Sequence, residues 1–187
     1  MTSDIVQEAL VNIVDILKAN DIEYCIFGGL ALQAYGRIRA TKDVDVLASI
    51  HTMGVDKLIK ILHSHGFVFD LRRGVIKIRD FEFFRCLYKE KDYGIELFVD
   101  LVMAGAPFQE EILKRKKQVM FFDKKINIAS CEDLILLKLL ADRPIDIVDA
   151  EELIEQNKDK LEKGYLKLWA ARLGIKRRLQ GLLRFRK

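Results

Sequence analysis

The stretch "FGGLALQAYGRIRATKDVDVLAS", residues 27–49, decides the fold of this 187-residue chain. Gly28 and Gly29 follow a short apolar run, "IEYCIF", which predicts a strand that turns tightly into a short helix. The segment "DVDVLAS" predicts a buried strand in which Asp43 and Asp45 share one face, because side chains two residues apart in a strand point the same way. Two acids on one face of a buried strand are stable only with a compensating positive charge nearby.

A later predicted strand, "IELFVDLVM", offers a third acid, because Glu96 and Asp100 share one of its faces. If this strand pairs with the Asp-Val-Asp strand, Asp100 lies about 4.8 Å across from the first two acids. Mg²⁺ takes carboxylate and phosphate oxygens as ligands, and two such ions about 3.5–4 Å apart can hold the attacking and leaving oxygens of a phosphoryl transfer. The acids are therefore a candidate site for two Mg²⁺ ions.

The glycine pair is a candidate phosphate site. Exposed N–H groups and the helix dipole at a strand-to-helix turn favour an anion, and a backbone without side chains can approach a triphosphate closely. The alternatives are a tight turn without a ligand and, for the acids, a solvated strand edge. A calcium-binding loop is excluded, because the glycine and the later glutamate of that motif are missing.

The order of predicted elements indicates an α/β fold with a helical C-terminal part. A helix over residues 4–19 precedes the strands, and a hairpin is predicted across Asp123-Lys124-Lys125. "SCED", residues 130–133, is a capping box before the apolar run "LILLKLLA". We expect a sheet domain over residues 1–128 and a helical part over residues 129–187, with a soft boundary because no flexible linker separates them.

Composition narrows the class of protein. Half of the residues are hydrophobic, but the apolar runs are short and interrupted by charge, so no membrane span is expected. The start, "MTSDIVQEAL", lacks the pattern of a secretory signal. Cys25, Cys86 and Cys131 occur singly, without the spacing of a disulfide framework or a zinc site. We expect a cytoplasmic protein with buried, reduced thiols.

The net charge of +4 is unevenly distributed. The segment from Gly164 to Lys187 has eight basic residues and no acidic one, so the preceding part has 24 basic and 28 acidic residues, a net charge of −4. The basic residues of this tail are Lys167, Arg172, Lys176, Arg177, Arg178, Arg184, Arg186 and Lys187. Such a tail predicts contact with a polyanion, and a solvated helix face is the alternative.

Taken together, these features resemble the nucleotidyltransferase superfamily related to DNA polymerase beta. "GRIRATKDVDV" is similar to the Arg-x-Thr-x-Asp-x-Asp form of small bacterial and archaeal members, and "SCEDLILLKLLADRPIDIVDAEEL" to their C-terminal pattern. The resemblance covers residues 24–153 and implies a mixed sheet flanked by helices, with residues 1–128 as the catalytic domain. The three parts of its main motif are Phe27-Gly28-Gly29, Asp43-Val44-Asp45 and Val99-Asp100-Leu101.

The resemblance implies roles for the acids. Asp43 and Asp45 would bind the Mg²⁺ ions, and Asp100 would complete the metal site and help activate the acceptor hydroxyl. Glu96 is the alternative third acid, since it shares a face with Asp100. Asp100 is preferred because its "VDLV" context fits the motif better.

The resemblance also implies contacts to a nucleoside triphosphate (NTP). Gly28 and Gly29 would hold its β- and γ-phosphates. Arg39, Thr41 and Lys42, beside the metal-binding strand, would steer the triphosphate. Lys138 and Arg143 are candidates for phosphate or acceptor contacts. For Lys138 the alternative is an exposed position on a helix. For Arg143 the alternative is a structural ion pair with Asp146 or Asp142.

The implied reaction is the in-line attack of an acceptor hydroxyl on the α-phosphate of an NTP such as ATP, with release of pyrophosphate. The resemblance implies antibiotics, tRNA ends or proteins as acceptors, and many small members belong to toxin–antitoxin or phage-defence systems. The basic end "GIKRRLQGLLRFRK" favours RNA or tRNA. The alternatives are transfer to a small molecule such as an antibiotic, and a non-catalytic nucleotide- or partner-binding module of the same fold.

Overall fold

The computed structural model describes residues 2–50, 53–69, 74–78, 80–89 and 96–184. Its helices are α1 (Thr2–Ala19), α2 (Gly28–Leu32), α3 (Val55–Ser64), α4 (Pro107–Arg115), α5 (Cys131–Ala141), α6 (Pro144–Asn157), α7 (Lys163–Arg172) and α8 (Lys176–Arg184). Its strands are β1 (Tyr24–Phe27), β2 (Asp43–Ala48), β3 (Phe67–Phe69), β4 (Ile76–Ile78), β5 (Phe81–Lys89), β6 (Glu96–Met103), β7 (Lys117–Phe121) and β8 (Lys124–Ile128).

The strands form one mixed sheet in the order β3-β5-β6-β2-β1-β8-β7, and β4 pairs with β5. Strand β2 lies in the middle, parallel to β6 and antiparallel to β1. Its Val44 and Val46 are fully buried in the hydrophobic core, and α1 packs on β2 and β6. The predicted mixed sheet flanked by helices is confirmed.

The C-terminal helices begin at the predicted cap. The Ser130 hydroxyl oxygen accepts a hydrogen bond of 3.2 Å from the backbone N–H of Asp133, which satisfies one of the free donors at the start of α5. Helix α5 is buried along most of its length, in contact with α2, α6 and α7. Strand β8 ends at Ile128, and the division of the chain at that residue stays a prediction.

The hairpin of β7 and β8 turns earlier than predicted. Phe122 and Asp123 form the two-residue loop, with positive φ angles of 47° and 59°, whereas Lys124 and Lys125 already belong to β8. A two-residue loop with both φ angles positive matches the twist of the paired strands, whereas a loop centred on the lysines would remove two residues from the ladder. The predicted turn across Asp123-Lys124-Lys125 is therefore wrong by one residue.

The predictions for the cysteines and for membrane spans can also be compared with the structure. Cys25, Cys86 and Cys131 are free and buried, as predicted, and burial raises the pKa of each thiol. Within the described ranges, the structure has no helix with the length and apolar character needed to cross a membrane.

Candidate active site

The three predicted acids meet on one face of the sheet. Parallel pairing of β2 with β6 places Asp45 opposite Asp100, and Asp43 opposite Phe98. Side chains at paired positions share a face, so both acids of β2 lie on the same side as Asp100. All three line one cavity of about 460 Å³. The strand register therefore brings together acids that are separated by more than fifty residues in the chain.

Arg85 holds the third acid. Its Nε and Nη2 atoms each donate a hydrogen bond of 2.6 Å to one carboxylate oxygen of Asp100, and β5 pairs these two residues directly. This charge-assisted bidentate contact raises the pKa of Arg85. The guanidinium also lies 4.9 Å from the ring centre of Phe98. Sequence reasoning missed Arg85; its signal is a lone arginine in the β-rich run "FEFFRCLY".

Asp45 lies in an environment that disfavours its negative charge. Burial, followed by the negative charges of Asp43 and Asp100, raises the pKa of its carboxyl to about 7, and the positive charges of Lys138 and Arg143 oppose this rise. Ionising a buried carboxyl beside two others is costly without a nearby cation. A divalent cation close to Asp45 would remove this cost.

Neither glycine of the turn has room for a side chain. A Cβ atom on Gly28 would lie 1.8 Å from Oδ2 of Asp45, and the φ angle of Gly28 is +64°. A Cβ atom on Gly29 would lie 2.7 Å from Oγ1 of Thr41. The same hydroxyl donates a hydrogen bond of 2.7 Å to Oδ1 of Asp43. The glycine turn and the acid-bearing strand therefore approach each other as closely as backbone and side chains allow.

Lys138 of α5 and Arg143, the residue before α6, form a basic wall of the cavity. Lys138 is only 5 % exposed, and its Nζ lies 2.8 Å from Oδ1 of Asp146 and 2.9 Å from Oδ2 of Asp149. Arg143 donates from Nε to Asp146 at 2.5 Å. Burial by itself would raise the pKa of Asp146, but the hydrogen bonds from Arg143 and Lys138 outweigh it and hold that pKa below its ordinary value.

These contacts decide between the alternatives for the two basic residues. The exposed helix position proposed for Lys138 is wrong, because α5 is buried along most of its length and this side chain contacts two aspartates of α6. The structural ion pair of Arg143 with Asp146 exists, yet the Arg143 side chain is 68 % exposed and lines the cavity.

Asp149 anchors two further arginines. Its fully buried carboxylate lies 3.1 Å from Nε of Arg37 and 3.3 Å from Nε of Arg39. Sequence reasoning named Asp146 only as an alternative ion-pair partner of Arg143 and assigned no role to Asp149. The signal was the spacing of Asp146 and Asp149, since helix residues three apart lie on one face.

The cavity gathers the residues predicted for the site. Its lining includes Gly28, Gly29, Arg39, Thr41, Lys42, Asp43, Asp45, Asp100, Lys138 and Arg143. Glu96 lies elsewhere, at the start of β6, where its exposed carboxylate pairs with Lys89 at 2.7 Å. The alternative of Glu96 as the third acid therefore has no geometric support, because the register places Asp100 beside Asp45.

The basic tail is partly engaged in contacts within the chain. Arg178 pairs with Asp142 at 2.5 Å and donates to the carbonyl oxygen of Leu139 at 3.0 Å. Arg172 lies over the ring of Trp169. The Arg184 side chain, Arg186 and Lys187 lie outside what the structure describes.

The donor set suits a hard divalent cation. In the described part of the chain, no three His, Cys, Asp or Glu side chains are arranged to share one metal ion, and both oxygens of Asp100 already accept from Arg85. Mg²⁺, however, is commonly held by one or two carboxylates together with substrate phosphates. Asp43 and Asp45 thus fit a cation that arrives with a triphosphate.

The chain is similar to known proteins over most of its length. A family model described as "Uncharacterised nucleotidyltransferase" matches residues 2–187. No curated protein matches the chain.

Several solved structures share the fold at low sequence identity. The antibiotic-resistance factor ANT(2'')-Ia is 16% identical with a TM-score of 0.60, covering 97% of this chain and 96% of its own. An antigenic nucleotidyltransferase-like protein from Paracoccidioides brasiliensis is 19% identical with a TM-score of 0.56, and the match covers 83% of this chain and 78% of that protein. The lincosamide antibiotic adenylyltransferase LnuA, solved with lincomycin bound, is 20% identical with a TM-score of 0.53, and the match covers 78% of this chain and 94% of that protein.

Proposed function

The chain belongs to the nucleotidyltransferase family that matches residues 2–187, and from this premise we propose that it moves a nucleoside monophosphate from Mg²⁺-bound NTP to an acceptor hydroxyl. The predicted membership of the nucleotidyltransferases is confirmed. ATP is the first candidate among the NTPs, since two of the similar structures are of an adenylyltransferase and of an adenylyl-tobramycin complex. The cytoplasmic location and a toxin–antitoxin context stay predictions.

One observation carries the proposal: Asp45 faces Asp100 across two parallel strands, directly beside the Gly28 turn. In the reaction, the acceptor oxygen forms a bond to the α-phosphorus while the bond from that phosphorus to the α,β-bridging oxygen breaks, and pyrophosphate leaves. The acceptor proton passes to Asp100. Catalysis of this kind depends on positioning and on charge stabilisation more than on covalent chemistry by the protein.

The residues that line the cavity divide into a metal-binding group and a phosphate-binding group. Asp43 and Asp45 would hold the two Mg²⁺ ions, with Asp100 as a further ligand, and the ions would supply positive charge at the phosphates. Gly28 and Gly29 leave room for the β- and γ-phosphates. The remaining positive and polar contacts to the triphosphate come from Arg39, Thr41, Lys42, Lys138 and Arg143.

The test is a transfer assay with α-labelled NTPs against a panel of total RNA, protein, aminoglycosides and lincomycin. The wild-type chain should label at least one acceptor class. Asp43→Asn and Asp45→Asn should each abolish labelling, because each removes a metal-binding charge and leaves the side-chain shape unchanged. The matched control is Glu96→Gln, which removes an exposed acid of the same sheet outside the cavity.

Titration calorimetry with Mg²⁺-ATP separates the remaining alternatives. Solvated edge acids predict no binding, a non-catalytic module predicts binding without transfer, and an enzyme predicts both. Transfer that survives either Asp→Asn change would overturn the assigned mechanism.

RNA or tRNA is a candidate acceptor on a separate observation. Arg178 pairs with Asp142, the neighbour of Arg143, so the basic helix α8 begins near the edge of the cavity. Deleting residues 174–187 would be a poor test, because Ile175 and Leu179 belong to the core.

Charge changes on the surface of α8 give a cleaner test of RNA binding. Lys176→Gln with Arg177→Gln should weaken binding of total tRNA and reduce its salt dependence. Lys158→Gln with Lys160→Gln is the control of equal charge. Equal effects of both pairs would remove RNA as the specific acceptor.

A further inference from the structure

We propose that the acceptor is a small uncharged alcohol with an aromatic or aliphatic body, bound in an apolar cleft beside Asp100. This inference rests on the proposed function and names its acceptor class. The apolar cleft has a volume of about 370 Å³, within the range of about 300–1,000 Å³ typical of small-molecule sites. Its apolar lining includes Phe27, Phe81, Phe83, Val102, Leu137 and Leu140.

The strand register builds the floor of this cleft. Phe81 and Phe83 share a face of β5 with Arg85, because alternate residues of a strand point the same way. Arg85 pairs with Asp100, and Phe83 pairs with Val102, two residues further along β6. An apolar surface therefore begins next to the third acid and continues along the sheet.

Helix α5 forms the opposite side. Leu137 and Leu140 are only partly buried, and each packs against the core with part of its side chain while lining the cleft with the rest. Phe81 and Phe83 are partly buried in the same way. These four large, partly exposed apolar side chains around one concave space provide a surface that an apolar ligand would remove from water.

The cleft and the larger cavity share Asp45 and Asp100 but differ in charge. The cavity is lined by Arg39, Lys42 and Arg143, which suits a triphosphate, whereas no described residue lining the apolar cleft is basic. Nucleic acid phosphates would find no partner in the cleft. A neutral alcohol needs only apolar contact for its body and one acceptor for its hydroxyl proton.

Asp100 can accept a hydrogen bond from that hydroxyl while it also accepts two hydrogen bonds from Arg85. An ionised carboxylate has about four lone-pair positions, and the bidentate contact uses two of them. The hydroxyl donates to a remaining position, its proton passes to Asp100, and its oxygen bonds to the α-phosphorus as pyrophosphate leaves. Pyrophosphate is the leaving group, and the reaction needs no further reactant.

Binding without turnover provides the first test, with 2-(2-naphthyl)ethanol as the probe. In spectra of methyl-labelled protein, the signals of Leu137, Leu140 and Val102 should shift on titration. The signals of Leu182 and Leu183, which line a separate cavity, should not. Phe83→Ala should weaken probe binding at least tenfold and leave the affinity for Mg²⁺-ATP within twofold. Phe122→Ala, in the β7–β8 loop, should change neither.

Transfer provides the second test. Wild-type protein with α-labelled ATP should label the naphthyl alcohol, and 2-ethylnaphthalene, which lacks the hydroxyl, should compete with it. If Phe83→Ala weakens the binding of Mg²⁺-ATP instead of the binding of the probe, the cleft holds the nucleobase and the inference is wrong. If ATP binds and tRNA alone is labelled, the inference is also wrong while the proposed function stands. If ATP does not bind, the proposed function itself fails.

Discussion

Arg85 and Asp100 face each other on adjacent antiparallel strands and are joined by two parallel hydrogen bonds of 2.6 Å. The contact places a permanent positive charge against the acid that the proposed mechanism uses as proton acceptor. The Asp100 side chain is 13% exposed, so this charge is only partly screened by water. Arg85 therefore competes with any cation for the same carboxylate.

Removing this competitor should strengthen metal binding. Arg85→Met should raise the affinity of the nucleotide-free protein for Mn²⁺ about threefold or more, because a positive charge next to the acids is lost. Electron paramagnetic resonance of free Mn²⁺ measures this directly. Lys89→Met removes an equal charge from the same strand, where Lys89 pairs with Glu96, and should change the affinity little. Equal affinities for wild type and Arg85→Met would show that Arg85 does not act on the metal site.

The raised pKa of Asp45 predicts a dependence of stability on pH. The folded carboxyl has a pKa of about 7, above the ordinary unfolded value of about 3.9, so the folded state retains a proton that the unfolded state has released. Stability should therefore fall as the pH rises through about 4 to 7. Asp45→Asn removes this loss, and at pH 8 without metal the variant should exceed wild type by about 1–4 kcal/mol in unfolding free energy.

Urea denaturation at several pH values, in the presence of a chelator, measures this difference. It should shrink as the pH falls toward 5, whereas the control Glu96→Gln should show little change at any pH. A stability gain of Asp45→Asn that is the same at pH 5 and pH 8 would contradict the titration of Asp45 as its cause.

Gly28 should tolerate no side chain. Gly28→Ala places a Cβ atom against the Asp45 carboxylate at a positive φ angle, so about 1–2 kcal/mol of stability should be lost, together with most of the affinity for Mg²⁺-ATP. Thermal unfolding and calorimetry measure the two effects. Gly164→Ala is the matched control, because its Cβ meets open space in α7 and should be neutral or stabilising by up to about 1 kcal/mol. Undiminished ATP binding by Gly28→Ala would separate this turn from the phosphate site.

Asp149 should stabilise the fold through its buried ion pairs with three basic residues. Asp149→Asn leaves Arg37, Arg39 and Lys138 without their shared charge partner, and breaking a buried ion pair costs about 3–5 kcal/mol. Chemical denaturation should show this loss. Glu152→Gln removes only a part-exposed partner of Arg37 and should cost less than about 1 kcal/mol. Similar losses in both variants would mean that burial of Asp149 does not matter.

Local pattern was sufficient for the parts of the candidate site that lie close together in sequence. The period of two placed Asp43 and Asp45 on one face, and the Gly28-Gly29 pair marked the turn before them. Ser130 was recognisable as a cap from four residues. Each of these features depends on contacts within a few residues, which composition and spacing report directly.

The misplaced hairpin turn shows the limit of such reasoning even at short range. "FFDKK" contains no glycine or asparagine, so nothing in it marked Phe122 for a positive φ angle. Pairing of β7 with β8 decided the loop, because the register of the two strands left only two residues to connect them.

What the sequence by itself determined is the identity of the acids, the glycine turn before them and the nucleotidyltransferase pattern. The tertiary structure alone decided that Arg85 holds Asp100, that Lys138 is buried against two aspartates and that an apolar cleft opens beside the acids. The physical reason is distance along the chain. Strand register and helix packing join residues tens of positions apart, and no local period of side chains encodes which of them will meet.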